Sequence, residues 1–452
     1  MTSFSQPIQQ TLRNYSRFSF RRAPIHTRSI QSGASNMGSQ YLDVPVLPPD
    51  VAFGLLADFG ADQNPKKVSL IAGAYRDENG LPWIFPSVKQ AKERIAANPT
   101  SHHEYLDIAG SPVFLDIARS LVFGTELAET KNIASIQAVS GTGANHLCAS
   151  FLAKHLKPKH VFIPDPTWVN HKTIWAAAGP EVVQEEYPYY NQNARSIRFG
   201  DMVSTFETTA QPNDVVILQA CAHNPTGLDL TRDQWKQLAD VVLKKKLFVL
   251  FDSAYQGFAT GNVEDDAWPV RYFTEQLLSS QDPDQRIPGI CVAQSFSKNF
   301  GLYGERVGAM HLVASSDVSI QGAKSQLALI ARAEYSNPPR FGVQIVETVL
   351  NDTALKKQWQ QDLNTMSSRI MRMRKRLRTK LEELGTPGDW SHIEAQIGMF
   401  SYTGLSKAHV DRLKKEYHIY LMPSGRASLC GLNEGNIDYV AKCISEVVKQ
   451  DH

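Results

Sequence analysis

The sequence predicts an α/β fold: a large domain on a mostly parallel sheet, followed by a smaller α+β domain. Three observations carry the prediction. First, five apolar, β-branched runs read as buried strands: Ile133–Val139, His160–Ile163, Asp214–Gln219, Leu247–Phe251 and Gly289–Gln294. They are apolar on both faces, as strands covered by helices on each side must be. Second, helical stretches such as Asn145–Leu156 and Thr231–Lys244 lie between them, the alternation of a parallel sheet. Third, the pattern changes after residue 353. Leu355, Trp359, Leu363, Met366, Ile370, Met373, Leu377 and Leu381 step by three or four along one helix from Ala354 to Leu384, stopped by Gly385 and Pro387. Beyond it lies a short unit with strands of its own, including Met399–Tyr402.

Bulk properties exclude several classes. The 452 residues are 42% hydrophobic and 20% charged, an ordinary globular balance. A net charge of +2 leaves no bulk attraction for nucleic acid. No run approaches the roughly 18 apolar residues of a membrane span. The five cysteines, Cys148, Cys221, Cys291, Cys430 and Cys443, are scattered without a C-x-x-C pair, so neither a disulfide framework nor a zinc cluster is expected. His102-His103 lacks further ligands at metal-binding spacing, so no metal site is assigned. The arginines and lysines from Arg369 to Lys380 are read as a solvated helix face.

Residues 1–40 differ from the rest. They hold Arg13, Arg17, Arg21, Arg22 and Arg28, many hydroxyls, and no Asp, Glu or Lys. That is the composition of a mitochondrial transit segment, drawn toward a compartment that is negative inside. Mitochondrial matrix is the expected location. Met37 as an alternative start would leave a cytosolic form.

Four motifs follow strand ends, where chemistry gathers in such sheets. Leu247–Phe251 runs into Asp252, a carboxylate that is costly to bury without a partner. Gly289–Gln294 delivers Ser295, Ser297 and Lys298 into a turn that reaches Arg306. A lysine leaving a buried strand has its pKa lowered and becomes free to form a Schiff base, while serines with an arginine suit a phosphate dianion. Ser140-Gly141-Thr142-Gly143 opens a helix whose amides favour an anion. His146 stands where a dinucleotide fingerprint needs glycine, which excludes that reading. Asn224 follows Asp214–Gln219 in a turn and is a directional donor. A phosphate, an aldehyde for lysine and a ring nitrogen needing a carboxylate together describe pyridoxal 5'-phosphate.

On these residues the chain resembles the class I aminotransferases, most closely the aspartate aminotransferase group. Ser295–Gly308 (SFSKNFGLYGERVG), His223–Gly227 (HNPTG), Asp252–Phe258 (DSAYQGF), Tyr335–Pro339 (YSNPP), Gly73–Asp77 (GAYRD) and Gly425–Gly431 (GRASLCG) carry the likeness, which runs from about residue 43 onward. The resemblance implies the type I fold of pyridoxal-phosphate-dependent transferases, with a seven-stranded sheet. It implies an N-terminal arm and part of the small domain over 41–83, a large cofactor-binding domain over 84–353, and a linking helix with the rest of the small domain over 354–452. It implies that Lys298 carries the cofactor, Asp252 (with His171 behind it) pairs with the ring nitrogen, and Tyr255 and Asn224 bond the ring oxygen. Trp168 would stack on the ring. Ser295, Arg306, Gly141, Thr142 and a neighbouring subunit's Tyr105 would hold the phosphate. Gly73 would lie on a lid over the substrate, Arg426 would grip its α-carboxylate, and Arg332 would reach across a homodimer to the distal carboxylate.

The implied activity is ping-pong transfer of an amino group between L-aspartate and 2-oxoglutarate. The alternative is a divergent transaminase of specialised metabolism that takes glutamate as donor with another 2-oxo acid. Departures from the group's usual pattern keep it in view: Ile71-Ala72 before the lid glycine, Asp107 for a proline, Gln219 for a histidine behind the ring, and Arg340-Phe341 after the double proline.

Overall fold

The computed structural model describes residues 44–71, 73–315 and 318–450. The basic leader and Met37 therefore lie outside the described residues. Pro49–His452 forms one compact unit.

Its centre is a seven-stranded sheet. The strands are β1 (Asn132–Val139), β2 (His160–Asp165), β3 (Val183–Pro188), β4 (Val215–Gln219), β5 (Phe248–Ser253), β6 (Gly289–Ser295) and β7 (Val307–Ala314), in spatial order β1-β7-β6-β5-β4-β2-β3. All neighbouring pairs are parallel except those of β7, which runs antiparallel to both β1 and β6. The five strands expected from sequence are present, with ends shifted by a residue or two. Two more were not anticipated. Edge strand β3 carries Gln184, Glu185 and Glu186 and so lacks an apolar run. Strand β7 is fully buried, and its run VGAMHLVA was there to be read.

Burial on both faces follows directly from alternation. Val161, Val215, Ile217 and Leu250 enter one apolar cluster, while their chain neighbours Phe162, Val216, Leu218 and Val249 enter another. Successive side chains of a strand point to opposite faces, so each strand seals two helical layers. Helix α1 (Ser140–His155) begins five residues earlier than its apolar pattern indicates, directly at the end of β1. Helix α2 (Arg232–Lys245) is closed by a capping box between Thr231 and Gln234.

A third cluster surrounds the long helix α4 (Thr353–Glu383), which follows helix α3 (Ile320–Glu334) in the order used here. All eight residues of the predicted stripe are buried in it. The expectation of a uniformly solvated basic face is corrected, because Arg369 and Arg374 are buried. Arg369 donates to Glu78 Oε1 (2.7 Å) and to the carbonyls of Arg76 (2.7 Å) and Leu432 (2.8 Å), tying α4 to the Gly73–Glu78 segment. Arg374 donates to the carbonyls of Ile393 (2.9 Å), Gly398 (2.8 Å) and Phe400 (2.6 Å). Those bonds shape the chain entering β8 (Phe400–Tyr402), which pairs antiparallel with β9 (Arg426–Ser428). Arg372, Arg376 and Arg378 do sit outside, in exposed ion pairs.

Replacing Arg374 by Met leaves three carbonyls without their donor. Unfolding free energy should fall by roughly 3 kcal/mol, since each unsatisfied buried acceptor costs about 1–3 kcal/mol. Urea denaturation of Arg374→Met against the parent chain measures this.

Candidate active site

Parallel strands deliver their carboxyl ends to one edge of the sheet. There β4, β5 and β6 end on Gln219, Asp252-Ser253 and Ser295. With the start of α1 they line a cleft of about 480 Å³. Gly141, Thr142, Trp168, Asn224, Asp252, Tyr255, Ser295, Lys298 and Arg306 all face it, as expected. Ser140, Ser297, Gln219 and Ala254 line it too; the sequence reading placed Ser297 among the phosphate-suited serines, Ser140 in the helix-opening turn and Gln219 behind the ring, and did not single out Ala254. The two serines were signalled by their neighbours, one before the glycine turn and one beside Lys298.

Asp252 is buried and is met by His171, whose Nε2 lies 2.9 Å from Asp252 Oδ2. The other ring nitrogen of His171 faces Thr167 Oγ1 at 2.8 Å, so the imidazole is held from both sides. Trp168 meets the His171 ring edge-on at 5.3 Å. Lys298 keeps some accessible surface in the cleft, yet the protein packed around it lowers the amine's pKa. Asp252 opposes that shift and Arg306 adds to it. The lysine Nζ stands 5.5 Å from the centre of the Tyr255 ring. Burial, reinforced by Asp252, raises the Tyr255 phenol and keeps it a donor.

The anion-binding end is built from hydroxyls and a helix start. Ser140 Oγ lies 2.7 Å from Ser297 Oγ and 3.2 Å from Ser295 Oγ. Ser140 N donates to the Arg306 carbonyl at 3.2 Å. This close approach needs small residues. A Cβ on Gly141 would stand 3.1 Å from Ser295 Cβ, and one on Gly308 would stand 2.6 Å from the Ser140 carbonyl carbon. The N-terminal amides of α1 thus converge with three hydroxyls and a guanidinium.

Asn224 is fixed by its backbone. Its amide donates to Gln219 Oε1 (2.7 Å) and its carbonyl accepts from Gln219 Nε2 (3.0 Å). Asp229 accepts from the amides of Ala222 (2.6 Å) and His223 (2.9 Å), holding the same turn from behind. Arg426 Nη2 donates to the Ile71 carbonyl at 3.2 Å, and its guanidinium lies 4.3 Å from the Phe400 ring centre. Arg426 Nε has no partner among the described residues, so this half-buried cation keeps an unused donor. Gly73 packs against the same Phe400 ring, which a Cβ there would meet at 3.4 Å.

Gly73 and Arg426 are not among the residues that line this cleft, and two further expected residues face outward. Tyr105 is 81% exposed, and Arg332, at the end of α3, is exposed and donates to the Ser336 hydroxyl. They share one outward face. Asn337 Nδ2 donates to the Leu106 carbonyl (2.7 Å) and Arg340 Nε to the Glu104 carbonyl (3.1 Å), which joins their two segments.

Comparison with known proteins identifies the class. The sequence profile of the family Aminotransferase class I and II matches residues 65–444, and the chain belongs to that family. It is 47% identical over 407 residues to an L-tyrosine:2-oxoglutarate aminotransferase of Aspergillus ustus, covering 88% of this chain and 76% of that one. It resembles the solved aspartate aminotransferase from Saccharomyces cerevisiae cytoplasm at 43% identity and a TM-score of 0.86, covering 91% and 99% of the two chains. It also resembles an aromatic-amino-acid aminotransferase from Burkholderia pseudomallei, covalently bound to pyridoxal phosphate, at 38% identity and a TM-score of 0.84, covering 91% and 100%.

The cofactor of this class is pyridoxal phosphate, and the residues present fit it. A lysine amine with a lowered pKa, a buried acid opposite, and a cradle that a Cβ at Gly141 would fill are the features it requires.

One buried acid beside this site makes stability depend on pH. Asp266 accepts from the amides of Gly257 (2.8 Å) and Ala259 (3.2 Å) and from Thr260 Oγ1 (2.8 Å), anchoring the loop after Tyr255. Burial, partly offset by the Thr260 hydroxyl, raises its pKa from 3.8 to about 7. The folded chain therefore holds this proton more tightly than the unfolded one. The associated stability is full below about 4 and is lost as pH rises through about 7. Urea midpoints at several pH values should decline across that window in the parent chain and decline less in Asp266→Asn.

Proposed function

We propose that this chain is an aspartate aminotransferase, moving an amino group between L-aspartate and 2-oxoglutarate to give oxaloacetate and L-glutamate. The observation that carries the reading is the cleft itself: a low-pKa Lys298 and buried Asp252 in one pocket, with Arg426 close enough to Tyr255 to act on its phenol.

Pyridoxal phosphate, when bound, supplies an aldehyde carbon for the amino group and a ring that takes up the electrons of a breaking C–H bond. Lys298 holds the cofactor at rest. Its Nζ would serve as the general base that takes the substrate's α-proton and as the acid that gives it back. Asp252, steadied by His171, keeps a proton on the ring nitrogen. Tyr255 and Asn224 donate to the ring oxygen, and Trp168 covers the ring face. Ser295, Arg306, Gly141 and Thr142 hold the phosphate, with Tyr105 of the partner subunit.

Arg426 grips the α-carboxylate under the Gly73 segment. The distal carboxylate falls to Arg332 of the partner subunit, which makes the working form a homodimer with shared sites. The placement of Tyr105 and Arg332 together on one exposed face supports this. The acid-free basic leader supports delivery to the mitochondrial matrix.

A second reading rests on the Aspergillus ustus relative: glutamate as donor with an aromatic 2-oxo acid as acceptor. A donor panel of aspartate, tyrosine and phenylalanine with 2-oxoglutarate separates the two. Aspartate should lead by kcat/KM, and tyrosine in the lead selects the second reading.

Lys298→Ala should abolish turnover, and retained transamination there refutes the site. Arg332→Asp should cut kcat/KM for aspartate by about a hundredfold or more, because losing one partner of a desolvated ion pair costs about 2–5 kcal/mol. It should raise turnover of cationic amino acids in the same assay.

A further inference from the structure

We propose that Gln219 is a positioning residue that sets the aim of the Asn224 side chain. The inference rests on the cofactor site proposed above and deepens it. Gln219 ends β4 and is the register partner of Asp252 on β5, so its side chain emerges beside the acid at the cleft floor. It spends both ends of its amide on one residue: Oε1 accepts from the Asn224 amide at 2.7 Å, and Nε2 donates to the Asn224 carbonyl at 3.0 Å. Both bonds are buried. A side-chain amide holds a donor nitrogen and an acceptor oxygen in one fixed plane, so the pair clamps the peptide plane on each side of Asn224.

The rest of the turn is held separately. Asp229 takes the amides of Ala222 and His223, and the Thr226 hydroxyl meets His223 Nδ1 (2.9 Å) and accepts from Leu228 N (3.2 Å). None of these bonds reaches the Asn224 main chain. Gly227 N also donates to the His223 carbonyl (2.6 Å), which holds the turn from the peptide before Asn224, so without Gln219 the turn keeps its fold while the Asn224 amide and carbonyl lose their shared side-chain partner. Gln219 also adds no titrating group beside Asp252, leaving His171 as the titratable side chain hydrogen-bonded to that acid among the described residues.

An N–H aimed at the ring oxygen competes with the proton shared between that oxygen and the lysine nitrogen, and so eases that proton's loss. Loosening Asn224 should therefore raise the pH midpoint of the bound cofactor's visible band. The test titrates that band in the purified, pyridoxal-phosphate-loaded chain, in Gln219→Met, Asn224→Ala and the double variant. Met keeps the length of the side chain and removes both hydrogen bonds. Thermal melts of each variant check folding, and Gln219→Ala is the substitute should the Met variant melt early.

The expected result is an upward shift of roughly half to one pH unit in Gln219→Met, the size of one weakened hydrogen bond. Faster release of the cofactor on dilution should accompany it. The double variant should shift no further than Asn224→Ala alone, because the two residues act as one unit. An unchanged midpoint in Gln219→Met while Asn224→Ala shifts, or additive shifts in the double variant, overturns the proposal and leaves the cofactor site standing. No visible band in the loaded parent chain overturns both.

Discussion

The structure depends on burying a carboxylate and an amine at the ends of two neighbouring strands. Asp252 leaves β5 and Lys298 follows β6, and those strands pair in parallel, so both groups arrive at one edge of the sheet. Each is costly to desolvate, and the surrounding groups offset that cost. His171 meets Asp252 directly, and the Asp252 charge partly counters the burial that lowers the Lys298 amine. The seven-stranded sheet, sealed by helices on both faces, provides the low-dielectric setting in which the Lys298 amine is shifted. Reactivity and architecture therefore share one cause.

Polar side chains are also used to shape loops that carry no regular secondary structure. Gln219 and Asp229 hold the turn bearing Asn224, Asp266 holds the loop after Tyr255, and Arg374 holds the chain before β8. In each case one side chain satisfies several backbone groups at once, which lets a buried loop avoid orphaned amides and carbonyls. Arg369 extends the device to the Gly73 segment, where it binds the carbonyls of Arg76 and Asp77 and the Glu78 carboxylate, and it binds the Leu432 carbonyl as well. Tyr303, a few residues past Lys298, accepts from the Tyr75 amide at 2.9 Å. The Gly73–Glu78 segment is thus tied both to the long helix and to the turn that bears the lysine.

Membership of the aminotransferase family settles the reaction class more firmly than the substrate. The side chains around the cofactor position would serve any donor, whereas Arg332, the residue proposed for the substrate's far end, lies outside this chain's own cleft. No helix among the described residues is long and apolar enough to cross a membrane.

The sequence by itself determined the alternating α/β plan, five of the seven sheet strands, the stripe of α4 and the cluster of residues around Lys298. Each of these is local. Alternation, helical period and a motif string are written in consecutive residues. Tertiary structure alone decided the rest. The burial of Arg369 and Arg374 within a charged run depends on carbonyls more than fifteen residues away in the chain. The edge strand β3 carries glutamates because only one of its sides is paired. Gln219 reads in sequence as a departure, and its purpose appears only once the turn brings Asn224 back against it. Tyr105 and Arg332 lie far apart in sequence, and folding alone sets them on a common face, outside the cleft that holds the lysine.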